Sequence, residues 1–131
     1  MRHCLDAWAV LEYLTGGRPA QARLTELFHA ERPIMSWINL GEVAYIVERR
    51  AGRDRAAEVV ARLRGALTLE LATAERVLEA AAVKARHAVS YADAFAVATA
   101  TANDAVLVTG DPELLGADGG WQVEDLRSPR G

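Results

Sequence analysis

Two periods of apolar residues alternate along this chain, and together they predict short strands separated by amphipathic helices. Residues 3–6 predict a first strand running into a helical turn over 8–14, which Thr15-Gly16-Gly17 interrupts. Pro19 suits the first turn of a helix that reaches about residue 30. A second strand follows at 33–36. Leu40, Val43, Ala44 and Val47 stand at i, i+3, i+4 and i+7, which predicts a helix over 39–50. Gly52 ends it, and Ala56, Val59, Val60 and Leu63 carry another over 53–64. Residues 67–71 predict a third strand and 73–86 an amphipathic helix. Residues 91–103 are rich in Ala on nearly every face, as in a buried central helix that packs closely on its neighbours. Strands at 105–109 and, as a last edge, 121–123 complete the pattern.

Strands separated by helices call for crossover connections, and so for a mostly parallel sheet. The expected fold is a three-layer α/β sandwich, about five strands flanked by helices. With 131 residues there is room for one hydrophobic core, so residues 1–131 are expected to form one domain. No stretch approaches the roughly 20 apolar residues of a membrane helix. The N-terminal apolar run is broken by Asp6 and Glu12, so no secretory signal is expected and the cytoplasm is the default address. The single cysteine, Cys4, excludes an internal disulfide or a multi-Cys zinc site and is expected to be a small buried hydrophobe.

Four carboxylates have surroundings unlike those of ordinary surface acids. Asp6 closes the first strand within an apolar run, and Glu42 lies in the largely uncharged helix SWINLGEVAYIV. Asp93 sits in YADAFAVATA, and Asp111 follows the strand AVLVT in the turn TGDPEL. Burying a carboxylate without a partner is expensive, and a divalent cation offsets that cost for a cluster. Three of the four also have plain local roles. Asp6 suits a helix cap, Ser90–Asp93 a capping box with Asp in place of Glu, and Asp111-Pro112 an N-cap. Glu42 has no such role, though pairing with Arg49 is open to it. In a parallel sheet the strand ends gather at one edge, where ligands bind, which brings Asp6, Asp93 and Asp111 towards one another.

The segments LDAWAVLEYL, SWINLGEVAYIVER, SYADAFAVATA and VLVTGDPEL, in that order across essentially the whole chain, resemble the PIN-domain family, and within it the VapC-type toxins of bacterial toxin–antitoxin pairs. The resemblance implies a parallel sheet flanked by helices, Mg²⁺ or Mn²⁺ at the acids, and endonucleolytic cleavage of RNA. It matches the family's four acids to Asp6, Glu42, Asp93 and Asp111, with Asp6, Asp93 and Asp111 as metal ligands and Glu42 positioning or deprotonating the attacking water, or holding a second ion. Thr109 matches the supporting hydroxyl before the fourth acid, and Asn39 and Ser36 fall where polar residues line the cleft. As partners it implies an RNA substrate, a cognate VapB-like antitoxin and a homodimer, with no membrane. The apolar positions of the two helices over 39–50 and 53–64, more than one sheet face should need, point the same way on the dimer. Three residues depart from the family's pattern. Ala7-Trp8 stand where Thr or Ser and then Asn are usual, and Gly110 stands where Asn is common.

Charge does not oppose this expectation. The net charge is −3, but without the four acids 14 acidic side chains face 15 basic ones, all but Lys84 being Arg. Arg suits phosphate through its bidentate fork, and a GC-rich genome would favour it too. Arg49, Arg50, Arg53 and Arg55, clustered just after the helix bearing Glu42, are the candidate RNA contacts. His3, His29 and His87 show no metal-ligand spacing, and no phosphate-cradling glycine loop occurs. Two other readings stay open: a signalling module with a phospho-acceptor Asp, which normally wants a Lys after a late strand, and a catalytically idle PIN-like binding module. The only lysine, Lys84, falls in a helix.

Overall fold

The computed structural model describes residues 1–127. Each strand alternates its side chains between two apolar layers, and this alternation builds the molecule. In β1 (His3–Leu5), Cys4 points to one layer and Leu5 to the other; in β2 (Ile34–Ser36), Ile34 and Met35 divide in the same way. β3 (Thr68–Glu70), β4 (Val106–Thr109) and β5 (Val123–Asp125) complete a sheet of order β3-β2-β1-β4-β5 in which every pairing is parallel.

Helices cover both faces. On one, α1 (Ala7–Thr15), α2 (Arg18–Ala30), α3 (Trp37–Ala51) and α4 (Arg53–Ala66) bury Val10, Leu24, Leu27, Leu40, Val43, Val59 and Leu63 with Leu5, Met35 and Val108. On the other, α5 (Ala74–Arg86), α6 (Tyr91–Ala102) and the short α7 (Pro112–Gly116) bury Ala80, Phe95, Val97 and Leu114 with Cys4, Ile34 and Leu107. Each fully buried Leu or Val contributes about 1.5–3 kcal/mol. Every residue of α6 from Asp93 to Ala100 is buried, as its alanines on all faces require. Small side chains let this helix approach α5, β1, β2 and β4 closely.

The chain expected as strand 121–123 pairs two residues later, at Val123–Asp125. Trp121 is held instead edge-on against His87, with ring centroids 5.0 Å apart, and packs on the α5–α6 layer. Gly52 serves α3 and α4 together, ending one and starting the other at φ +92°, a conformation that only glycine adopts without strain. Cys4 is fully buried and burial pushes its thiol pKa up, in keeping with a small hydrophobe. Among the described residues no helix is long and apolar enough to cross a membrane.

The order of strands sets the site. From β1 the chain moves outward to β2 and β3 on one side, then returns to β4 on the other. The crevice beyond the carboxyl ends of β1 and β4 is therefore the topological switch point, where open α/β sheets bind ligands.

Candidate metal centre

Leu5 stands opposite Val108 in the β1–β4 register, so the residues that follow, Asp6 and Thr109, meet at the switch point. Asp6 is fully buried and uses both carboxylate oxygens. Its Oδ1 caps α1 by accepting from the Ala9 amide at 2.9 Å, and its Oδ2 accepts a short hydrogen bond from the Thr109 hydroxyl, 103 residues on. The same hydroxyl accepts from the Asp111 amide at 3.0 Å. Asp111 in turn caps α7, its Oδ1 accepting from the Glu113 amide at 2.9 Å. Ser90 caps α6 by accepting from the Asp93 amide at 3.1 Å, which leaves the buried Asp93 carboxylate on the first turn facing the other acids. Capping and clustering thus coexist: the caps aim these side chains at one point.

One carboxylate oxygen from each of Asp6, Asp93 and Asp111 lies within 4.8 Å of the other two. Such crowding shows in their acidities. Burial first of all, and then the neighbouring Asp93 and Asp111, push Asp6 up to about 7 against the opposing pull of Thr109 and Ala9. Asp93 is likewise pushed up to about 7, by burial and then by Asp111, with Glu42 adding to it and Ser90 opposing. Glu42, half-buried on α3, is raised by burial and by Asp111, while the Asn39 side chain pulls it down. Glu42 stands outside the tight triad. Its Oε1 and the Oδ1 of Asn39 are buried with no hydrogen-bond partner. Three converging carboxylates and two unsatisfied buried acceptors fit a hard divalent cation with water in its shell.

The remaining expected residues fall into two groups. Asn39 is buried and ties α3 to α6, its Nδ2 donating to the Ala92 carbonyl at 2.9 Å. Ser36 is buried too, and its hydroxyl caps α3 by accepting from the Ile38 amide. Thr109 stands inside the cluster. Arg49, Arg50, Arg53 and Arg55 lie farther out, around the α3–α4 junction. Arg49 is two helical turns from Glu42 on the same side of α3, roughly 10 Å along the axis. Its guanidinium lies 5.0 Å from the ring centroid of Tyr45 and makes no ion pair with Glu42. Arg55 pairs with Glu58 at 3.5 Å, and Arg53 lines a groove with Ala44, Glu48 and Val60. Arg23 is committed elsewhere, gripping Glu124 through two hydrogen bonds.

Two features escape a reading of the residues alone. Tyr45 is an exposed aromatic, one turn from Glu42, and its signal is its i+3 spacing from that acid. The second is the contact between Trp8 and Gly110. Two of the three histidines are engaged away from the acids, His3 with Glu31 at 3.0 Å and His87 with Trp121. Lys84 donates to the Val89 carbonyl at 2.8 Å and so braces the α5–α6 loop, which removes the lysine a phospho-acceptor module would need.

A profile of the PIN domain matches residues 3–119. The chain belongs to the PIN-domain family. No curated protein matches this PIN domain in sequence. Solved structures do match its fold. VapBC2 from Rickettsia felis, bound to a DNA fragment from their promoter, is 16% identical with a TM-score of 0.77, over 95% of this chain and 98% of that one. DNA-bound VapBC from Salmonella typhimurium is 18% identical with a TM-score of 0.77, over 96% and 98%. VapC20 from Mycobacterium tuberculosis, a sarcin-ricin loop cleaving toxin, is 21% identical with a TM-score of 0.71, over 92% and 96%.

Proposed function

We propose that this PIN domain is a divalent-metal-dependent endoribonuclease of the VapC type, with Asp6, Glu42, Asp93 and Asp111 as its catalytic centre and residues 1–131 as one nuclease domain. The observation that carries this reading is the convergence of three carboxylates within 4.8 Å at the topological switch point. Asp6, Asp93 and Asp111 would hold Mg²⁺ or Mn²⁺. When bound, the ion supplies neutralisation of the charge developing on the phosphodiester and acidification of a water molecule. The chain does the rest. Thr109 fixes Asp6 and the Asp111 backbone together, Asn39 locks the start of α3 against α6, and Ser36 caps α3 beneath them. Glu42, with its unpartnered buried Oε1, orients the attacking water and takes its proton. Arg49, Arg50, Arg53 and Arg55 form the phosphate-binding rim.

RNA as substrate is supported by the likeness to VapC20, a sarcin-ricin loop cleaving toxin. A VapB-like antitoxin as partner is supported by the likeness to the VapBC complexes. A homodimer and a cytoplasmic address belong to the same proposal. The apolar positions of α3 and α4 that first suggested a dimer are mostly spent inside the chain, since Leu40, Val43, Ala56, Val59 and Leu63 are buried. What stays outside is Ile38, Tyr45 and the small-residue groove between α3 and α4.

Incubation of the purified protein with total RNA, with Mg²⁺, Mn²⁺ or a chelator, tests the reading. Cleavage is expected with metal and is lost with chelator. Asp6→Asn, Asp93→Asn and Asp111→Asn each abolish cleavage, while their metal-free melting temperatures equal or exceed that of the parent, because each removes like-charge repulsion. Chelator-insensitive cleavage, or a marked loss of stability in all three variants, overturns it.

A further inference from the structure

Two of the three residues at which the chain departs from its family's pattern, Trp8 and Gly110, touch. Gly110 is buried, and a β-carbon built on it would come closer than 3.0 Å to three carbons of the Trp8 benzo ring. The obstacle is a rigid ring, partly buried and packed against the first core layer, so it has no flexible end to swing aside. Gly110 is the single residue between Thr109 and Asp111. Trp8 lies in the first turn of α1, the turn that Asp6 caps. A closed circuit results: Asp6 accepts from Thr109, Thr109 accepts from the Asp111 amide, and the Trp8 ring, carried by the helix that starts at Asp6, presses on the α-carbon between them.

We propose that Trp8 is a positioning residue whose ring, seated on Gly110, sets where the Thr109–Asp111 turn presents the Asp111 carboxylate. The inference rests on the reading of the acids as a metal centre. Burial of Trp8 alone would make it a core residue. What assigns it this role is that the ring fills the space any other residue at position 110 would occupy. The pair is therefore complementary in size: a residue larger than glycine at 110 must displace either the ring or the turn, and the turn carries Asp111. The same turn is also held by the Thr109 hydroxyl, by the α7 cap, and by the Leu126 amide, which donates to the Thr109 carbonyl at 2.9 Å.

A double-mutant cycle on the full chain tests this. Mn²⁺ affinity is measured by calorimetry well below each melting point, with Gly110→Ala, Trp8→Ala and the double variant. In parent protein Gly110→Ala weakens Mn²⁺ binding about tenfold or more, the range seen when groups supporting a ligand are disturbed. In the Trp8→Ala background, where the added β-carbon has room, the same change costs about twofold or less. A merely structural contact would lower melting temperatures and leave the affinity of the folded protein unmoved. Hydrogen exchange of the Asp111 amide, followed in metal-free protein, gives a second reading. It accelerates in Gly110→Ala, while in the Trp8→Ala background the same change adds little to the rate. If the parent itself binds no Mn²⁺, the metal reading falls, and the amide exchange alone decides the pair. If Gly110→Ala does not fold, Trp8→Ala decides: weaker Mn²⁺ binding and a faster Asp111 amide support the role, and unchanged values overturn it. Equal losses in both backgrounds also overturn it.

Discussion

Thr109 is the side chain through which the two ends of the sequence meet. Its hydroxyl donates to Asp6 and accepts from the Asp111 amide, and it is fully buried. Replacing it with the near-isosteric Val leaves two buried groups without a partner, the Asp6 Oδ2 and the Asp111 amide. Thr109→Val is expected to destabilise the protein by about 1–3 kcal/mol in urea unfolding. It should also push the pKa of Asp6 further up, since the hydroxyl favours the charged form. A melting profile against pH would show that shift as a steeper loss of stability on the alkaline side. No change in urea midpoint would mean that water replaces the hydroxyl without loss.

Among the elements, α6 has the strictest size requirement, because its small residues meet neighbours on all sides. Ala98 is 3% exposed and Ala96 fully buried, so neither has room for added carbons. Ala98→Leu is expected to lower stability by about 1–3 kcal/mol, read from the urea midpoint at unchanged slope. At this scale much was legible in the sequence. The alanine-rich run announced a buried helix, strands separated by helices announced a parallel sheet in a three-layer sandwich, and the acids at strand ends announced the crevice at the sheet edge. The misplaced β5 shows the limit. Trp121 reads as strand, but its edge-on contact with His87 joins residues far apart in sequence. The same holds at the site. Asp6, Asp93 and Asp111 betray themselves by their uncharged surroundings, whereas Trp8 and Gly110 each read only as an oddity until the fold brings them into contact. Ser36 is a cleft residue by the family resemblance, and its hydroxyl also caps α3, a role that only the folded chain displays.

For the whole molecule, the crowded acids tie folding to pH and to metal. The folded-state values of Asp6 and Asp93 are raised, both to about 7, from an unfolded value near 4. Raised carboxylates stabilise the fold fully below the unfolded value, and that contribution is lost as pH rises through about 7. Metal-free protein should therefore melt several degrees higher at about pH 5.5 than at about pH 8, and Mn²⁺ should raise the melting point more at the higher pH. Equal melting points with chelator at both would contradict the coupling. The net charge of −3 adds a second consequence, since long-range attraction cannot gather RNA. Binding then depends on the local rim. Arg50→Ala with Arg53→Ala should weaken RNA affinity and flatten the log–log salt slope by about 1.4, two single-strand phosphate contacts' worth, without moving the cleavage site. An unchanged slope would put the rim elsewhere, with Arg18 beside the α1–α2 turn the next candidate.

The pairing of β1 with β4 also governs when this protein becomes complete. His3 waits for Val106 and Cys4 for Leu107, so the central ladder of the sheet cannot close until most of the chain has been synthesised. Contacts so distant in sequence form late and slowly. A nascent chain that has emerged as far as α5 already carries Asp6 and Glu42 but has neither Asp93 nor Asp111 to set beside them. The acids are thus kept apart in time by the same topology that later brings them together, and a chain released early has no assembled centre.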